Sequence, residues 1–168
     1  MPIPESYWVI PARILAGEYP ARFDSRETEQ RIDAFLEAGL NAFIDLTALN
    51  EMKPYNDILM ERASHYGASV SYQRFSIGNF SSPSHSNMIA ILDTMDFAID
   101  QGKSVYIHCW AGVGRTGTVV GCYLARHGNS ADALNQLASL WKNVPKHIQY
   151  PHSPETENQI NFVRQWRD

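Results

Sequence analysis

Val105-Tyr106-Ile107-His108-Cys109-Trp110-Ala111-Gly112-Val113-Gly114-Arg115-Thr116-Gly117 joins three unlike pieces of chain. Val105-Tyr106-Ile107 is a short apolar run that reads as a buried strand. Thr118-Val119-Val120-Gly121-Cys122-Tyr123-Leu124 reads as a helix leaving the turn. Between them lies a tight glycine-bearing turn bracketed by a thiol and a guanidinium. Successive backbone N–H groups in such a turn point inward, and the helix N-terminus adds partial positive charge, so the pattern predicts an oxyanion site. Gly112 and Gly114 are expected to take backbone angles that other residues resist. Arg115 can grip two oxygens of a phosphate with its planar fork.

The thiol turns anion binding into chemistry. A free cysteine titrates near ~8.5, falling to roughly 3.5–7.5 at a helix N-terminus beside cations, so Cys109 is expected to be a thiolate. It is placed for in-line attack on phosphorus, giving a phosphocysteine. His108 is expected to orient the turn and help keep the sulfur charged, and Thr116 to donate its hydroxyl to that sulfur as it leaves. Trp110, Ala111, Gly112, Val113 and Gly114 would line the phosphate, with the Trp110 side chain turned away from it.

These residues resemble the signature of the cysteine-dependent protein tyrosine phosphatases, His-Cys-x-x-Gly-x-x-Arg-Ser/Thr-Gly, and of their dual-specificity branch in particular; every fixed position is met. The resemblance implies an α/β fold with a central, mostly parallel sheet flanked by helices, no metal and no organic cofactor. It also implies Cys109 as nucleophile and Arg115 as phosphate ligand. The low-molecular-weight phosphatases carry their motif near the N-terminus, whereas this one lies two-thirds along. Sulfur transfer on a rhodanese-like turn is the weaker alternative, because His108 and Thr116-Gly117 suit phosphate chemistry better.

The rest of the chain is consistent with one domain over residues 1–168, long enough to bury a full core. A formal charge of −4 argues against a nucleic-acid surface. No apolar run approaches the ~20 residues of a membrane span, and the N-terminus lacks a basic-then-apolar pattern. Two cysteines, one a working thiol, suit a reducing cytoplasm; Cys122 reads as a small buried hydrophobe. A monomer acting on a phosphoprotein or small phosphoester is expected.

Tyr7 to Gly17 reads as two strands around a proline bend. Asp24 and Glu27 suggest a capping box for a helix from Ser25 to Ala38. A strand at 41–47, a helix at 56–65, a strand at 70–75 and a helix at 87–100 follow. Beyond the turn come helices at 115–126, 131–141 and 154–166, the last capped by Ser153 with Pro154 at its first position. Alternating strands and helices predict a parallel sheet with its ligand beyond the strands' carboxyl ends, where Cys109 and Asp45 both fall.

Two further stretches bear on catalysis. Phosphatases of the resembled family place a mobile loop, commonly Pro-Ile-x-Asp-x-x-x-Pro, where this chain has Ser76-Ile77-Gly78-Asn79-Phe80-Ser81-Ser82-Pro83. Its aspartic acid protonates the leaving group; the aligned residue here is Asn79, which has no proton to give. General acid catalysis is worth roughly 10²–10⁴-fold. The chain is then a slow enzyme or a phosphate-reading pseudoenzyme, a form altered from Asp to Asn, or one that uses another acid, with Glu155, Asp45 and His85 as candidates in that order. Thr156-x-x-Gln159-x-x-Phe162 resembles the segment that positions the hydrolytic water, which would bring Gln159 and Glu155 to the mouth of the site. The absence of basic side chains from Trp110 to Gly114 favours phosphoprotein or small phosphoester over an inositol headgroup, and the short chain favours a shallow pocket.

Overall fold

A computed structural model describes residues 1–168. Five strands form one sheet in the order β1-β2-β5-β3-β4: β1 (Ser6–Ile10), β2 (Ile14–Gly17), β3 (Ala42–Asp45), β4 (Ser71–Arg74) and β5 (Val105–His108). Only β1 runs antiparallel to its neighbour; β2, β5, β3 and β4 are mutually parallel. The register sets Gly17 beside His108, His108 beside Asp45, and Asp45 beside Arg74. Four strand ends therefore share one edge, and the segments leaving β4 and β5 line a cleft beyond it.

The helices are α1 (Ser25–Glu37), α2 (Asn56–His65), α3 (His85–Asp100), α4 (Gly114–His127), α5 (Ala133–Trp141) and α6 (Glu157–Gln165). Strand alternation sorts the core into two clusters. Ile14, Ala16, Val105 and Ile107 pack with Met88, Ile91, Leu92, Val119 and Val120 of α3 and α4. Leu15, Phe43 and Tyr106 pack with Ile32, Phe35 and Leu59 of α1 and α2. The sheet is thus covered on both faces, as a parallel sheet requires.

The expected elements are all present, with shifted ends. Asp24 caps α1 through the Glu27 N–H (2.8 Å). The start of α6 differs from expectation. Thr156, not Ser153, is its N-cap, in a capping box with Gln159. The Ser153 hydroxyl instead donates to the Val113 carbonyl (2.8 Å), because the chain before α6 lies against the turn after β5. A single 3₁₀ turn at Pro145–Ile148 was not anticipated. No helix is long and apolar enough to cross a membrane.

Candidate active site

The turn from Cys109 to Gly114 is held from outside by its carbonyls. The Cys109 carbonyl accepts from His108 Nδ1 (3.3 Å), that of Trp110 from the Tyr19 N–H (2.9 Å), and that of Ala111 from Lys146 Nζ (3.1 Å). The Val113 carbonyl takes the Ser153 hydroxyl. In a trans peptide the C=O and the following N–H point in opposite directions. With these four carbonyls drawn outward, the N–H groups of Trp110, Ala111, Gly112 and Gly114 are aimed into the cleft. None of the N–H groups from Trp110 to Thr116 finds an acceptor within the protein. They form a bowl of free donors under partial positive charge from α4.

The glycines serve this bowl in different ways. Gly112 has φ +78°, and a Cβ there would stand 2.7 Å from the Gly17 carbonyl carbon. Gly114 does not take a positive φ, contrary to expectation; it is small because Gln159 Oε1 would lie 2.9 Å from its Cβ. Its size lets α6 reach the bowl. Gly117 makes similar room for Ser153 Oγ.

Cys109, 3% exposed, lies on the floor of a cleft of about 470 Å³ including its open mouth. Arg115, Ala111, Gly114, Asn79, Glu155 and Gln159 line the same cleft, with Phe80, Trp110 and Tyr150 as its aromatic walls. Trp110 is half exposed and stands among the residues that line the cleft. Arg115 is oriented by Glu51, which accepts from Nη1 (2.7 Å) and Nη2 (2.6 Å), while Nη1 also donates to the Ile77 carbonyl (3.0 Å). Three of the five guanidinium hydrogens are thereby used. The remaining two, on Nε and Nη2, lie side by side and are free for an oxyanion. Burial opposes the guanidinium's charge, but Glu51 and the Cys109 sulfur outweigh it and raise the Arg115 pKa. The Arg115 bonds in turn lower that of Glu51.

His108 is wholly buried, and its pKa is pushed down to about 4, chiefly by burial. A carbonyl can only accept, so Nδ1 carries the proton shared with the Cys109 carbonyl. Nε2 then accepts from the Tyr55 hydroxyl (2.7 Å). His108 is therefore a neutral brace, and the expectation that it helps keep the sulfur charged is corrected to that extent. Thr116 also differs from expectation: its hydroxyl donates to the Gly17 carbonyl (3.5 Å), not to the Cys109 sulfur, because its side chain faces β2.

Of the acid candidates, Glu155 lines the cleft, and Asp45 and His85 do not. Asp45 is fully buried and accepts from the Thr47 N–H (2.8 Å), the Thr47 and Tyr72 hydroxyls (2.7 Å each) and Arg74 (2.9 Å). His85 begins α3, bonds the Arg167 carbonyl (2.8 Å) and lies over Trp166. Asn79 is exposed on the wall, its Oδ1 taken by the Phe80 N–H (3.2 Å). Gln159 is buried; its Nε2 donates to the Ser81 carbonyl (3.1 Å) and ties the Asn79 loop to α6. Glu51, Phe80, Tyr150 and Lys146 escaped the sequence reading. Glu51 alone left a signal, as an acid in the loop after the carboxyl end of β3.

With this turn on this sheet, the chain takes its place among the cysteine-dependent protein tyrosine phosphatases, on their dual-specificity side. Residues 20–129 match the family described as "Polymorphic toxin system, DSP-PTPase phosphatase", and the chain belongs to that family. It is 29% identical over 168 aligned positions to the mouse protein tyrosine phosphatase domain-containing protein 1, covering 96% of this chain and 21% of that protein. The cattle protein of the same name is 28% identical over 142 positions, 80% of this chain and 17% of that protein. The chain thus spans about a fifth of the curated relatives it matches. Among solved structures, Tk-PTP in its active form superposes with TM-score 0.69 at 23% identity, covering 96% of this chain and 95% of that one. PTPMT1 in complex with PI(5)P gives 0.70 at 16%, covering 96% and 93%. These likenesses carry the fold.

Proposed function

We propose that residues 1–168 act as one catalytic unit that hydrolyses phosphate monoesters through a phosphocysteine, with aryl esters preferred. The observation that supports this most directly is the free edge of Arg115 and the free amides converging on the cleft that has Cys109 at its floor. A phosphoryl group seated there meets the sulfur opposite its leaving oxygen. The P–S bond forms as the P–O bond breaks, and water then releases phosphate and the thiolate. Two features select the ester. Phe80, Trp110 and Tyr150 offer apolar walls to a ring, and Asn79 supplies no proton. A phenoxide leaves without protonation far more readily than an alkoxide, so phosphotyrosine-type esters lose least by the substitution. Glu155 is the one carboxyl on the cleft wall and the remaining proton source.

Rapid mixing with p-nitrophenyl phosphate tests this. A burst of phenol stoichiometric with enzyme, lost in Cys109→Ser, is expected. Asn79→Asp should raise turnover of a tyrosyl or alkyl phosphate at least about tenfold, the low end of what a general acid supplies. The amide at position 79 also supports a second reading, a phosphate-binding pseudophosphatase. In that case aryl phosphate saturates the cleft with no burst.

A further inference from the structure

Three of the four outward-drawn carbonyls of the catalytic turn are held by rigid groups: the Tyr19 main chain, the buried His108 ring and the buried Ser153 hydroxyl. The fourth, that of Ala111, hangs on the end of a lysine 35 residues away in sequence. Resting on the phosphate-site reading above, we propose that Lys146 is a positioning residue of the anion bowl, which keeps the Gly112 N–H directed at the bound phosphate by drawing the Ala111 carbonyl outward.

The lysine is itself aimed. Nζ lies 2.5 Å from Glu18 Oε2 and 3.1 Å from the Ala111 carbonyl. Glu18 is 5% exposed, and its other carboxylate oxygen is shared by Arg22 and Arg31. Burial pushes the Glu18 carboxyl up, yet the bonds from Lys146 and Arg22 bring it below its ordinary value, so it stays an anion. The 3₁₀ turn that carries Lys146 is anchored on both sides, by buried Val144 before it and by the Trp141 indole donating to the Tyr150 carbonyl (2.7 Å) after it. Gly112 follows Ala111 at φ +78° and offers no side chain to restrain the peptide between them. The Gly17–Glu18 backbone packs against Gly112 from one side, and the Lys146 bond to the Ala111 carbonyl is the hydrogen bond that fixes which way this peptide turns. One amide donor aimed at developing charge is worth on the order of 10²–10³ in turnover where it has been removed from comparable sites.

The test uses the whole chain with tungstate, an unreactive tetrahedral dianion, and p-nitrophenyl phosphate. Lys146→Met should weaken tungstate binding by calorimetry about tenfold and lower kcat by at least that factor, toward the range of a lost oxyanion donor. Lys146→Arg, which keeps the donor and the charge, should recover most of both. On tungstate addition the Gly112 amide resonance should shift in wild type and fail to shift in Lys146→Met, while those of Trp110 and Ala111 still move. That measurement reads the geometry directly, whatever happens to stability. Unchanged affinity and rate in Lys146→Met, or an undiminished Gly112 shift, overturns the proposal. A wild-type chain that binds no tungstate at all overturns the phosphate-site reading instead.

Discussion

Glu51 and Glu155 are both carboxylates near the proposed anion site, and their surroundings suit them to opposite tasks in the proposed reaction. Glu51 spends its charge on Arg115, and through it fixes which edge of the guanidinium faces the cleft. Removing it as Glu51→Ala leaves the guanidinium free to swing, and small misplacements near reacting atoms cost up to about a hundredfold. A fall of roughly tenfold to a hundredfold in kcat/KM, with weaker tungstate binding, is expected. Tighter tungstate binding would show that Glu51 competes with the anion instead. Glu155 makes no ion pair and stands on the cleft wall. Glu155→Gln should lower turnover of an alkyl phosphate by about 10²-fold and leave p-nitrophenyl phosphate nearly untouched. Equal loss on both substrates would mean that Glu155 positions rather than protonates. The roles of Cys109 and Arg115 are proposed from a motif visible in the sequence. Glu51 stands out in the sequence only as an acid after β3, and nothing in its neighbourhood reveals that its partner lies 64 residues away.

The turn after β5 works because its neighbours leave no room for anything larger. Gly117 sits in the first turns of α4 with Ser153 Oγ 2.1 Å from where a Cβ would be and Pro154 atoms at 3.2 Å. Gly117→Ala must push the 153–156 segment away, and with it Glu155 and the hydroxyl that holds the Val113 carbonyl. Overpacking of this kind typically costs about 1–3 kcal/mol, and kcat should fall as well, since the same segment serves the site. A loss of stability with kcat intact would separate the two roles. Helix and strand order could be read from the sequence because apolar spacing and capping residues are local signals. The start of α6 could not. Ser153 and Pro154 look like a helix start by themselves, and only contact with the turn shows that Ser153 is engaged elsewhere. The same holds for Gly114, whose smallness answers to Gln159 and not to its own backbone.

The whole molecule buries polar groups on one side of its sheet edge, and this makes its stability depend on pH. His108 sits among Tyr19, Tyr55 and Tyr106, with Asp45 at 4.0 Å. Its folded pKa of about 4 lies below the 6.5 of an ordinary histidine, which describes it in the unfolded chain. Between these values the unfolded chain binds a proton that the folded chain refuses, so folding stability declines as pH falls from 6.5 toward 4. Above 6.5 the contribution is fully present. Burial pushes the Asp45 carboxyl up, but His108, Thr47 and Tyr72 bring it below the ordinary aspartate range, so its share is also lost on acidification. The histidine alone accounts for roughly 3 kcal/mol across the window, at about 1.4 kcal/mol per unit. Thermal melts at pH 7, 6 and 5 should show a steady fall in Tm that is shallower in His108→Gln, where no imidazole is left to titrate. Parallel Tm profiles for the two proteins would show that His108 takes up its proton in the folded state as readily as in the unfolded one. The neutral brace beneath Cys109 would then have to be given up.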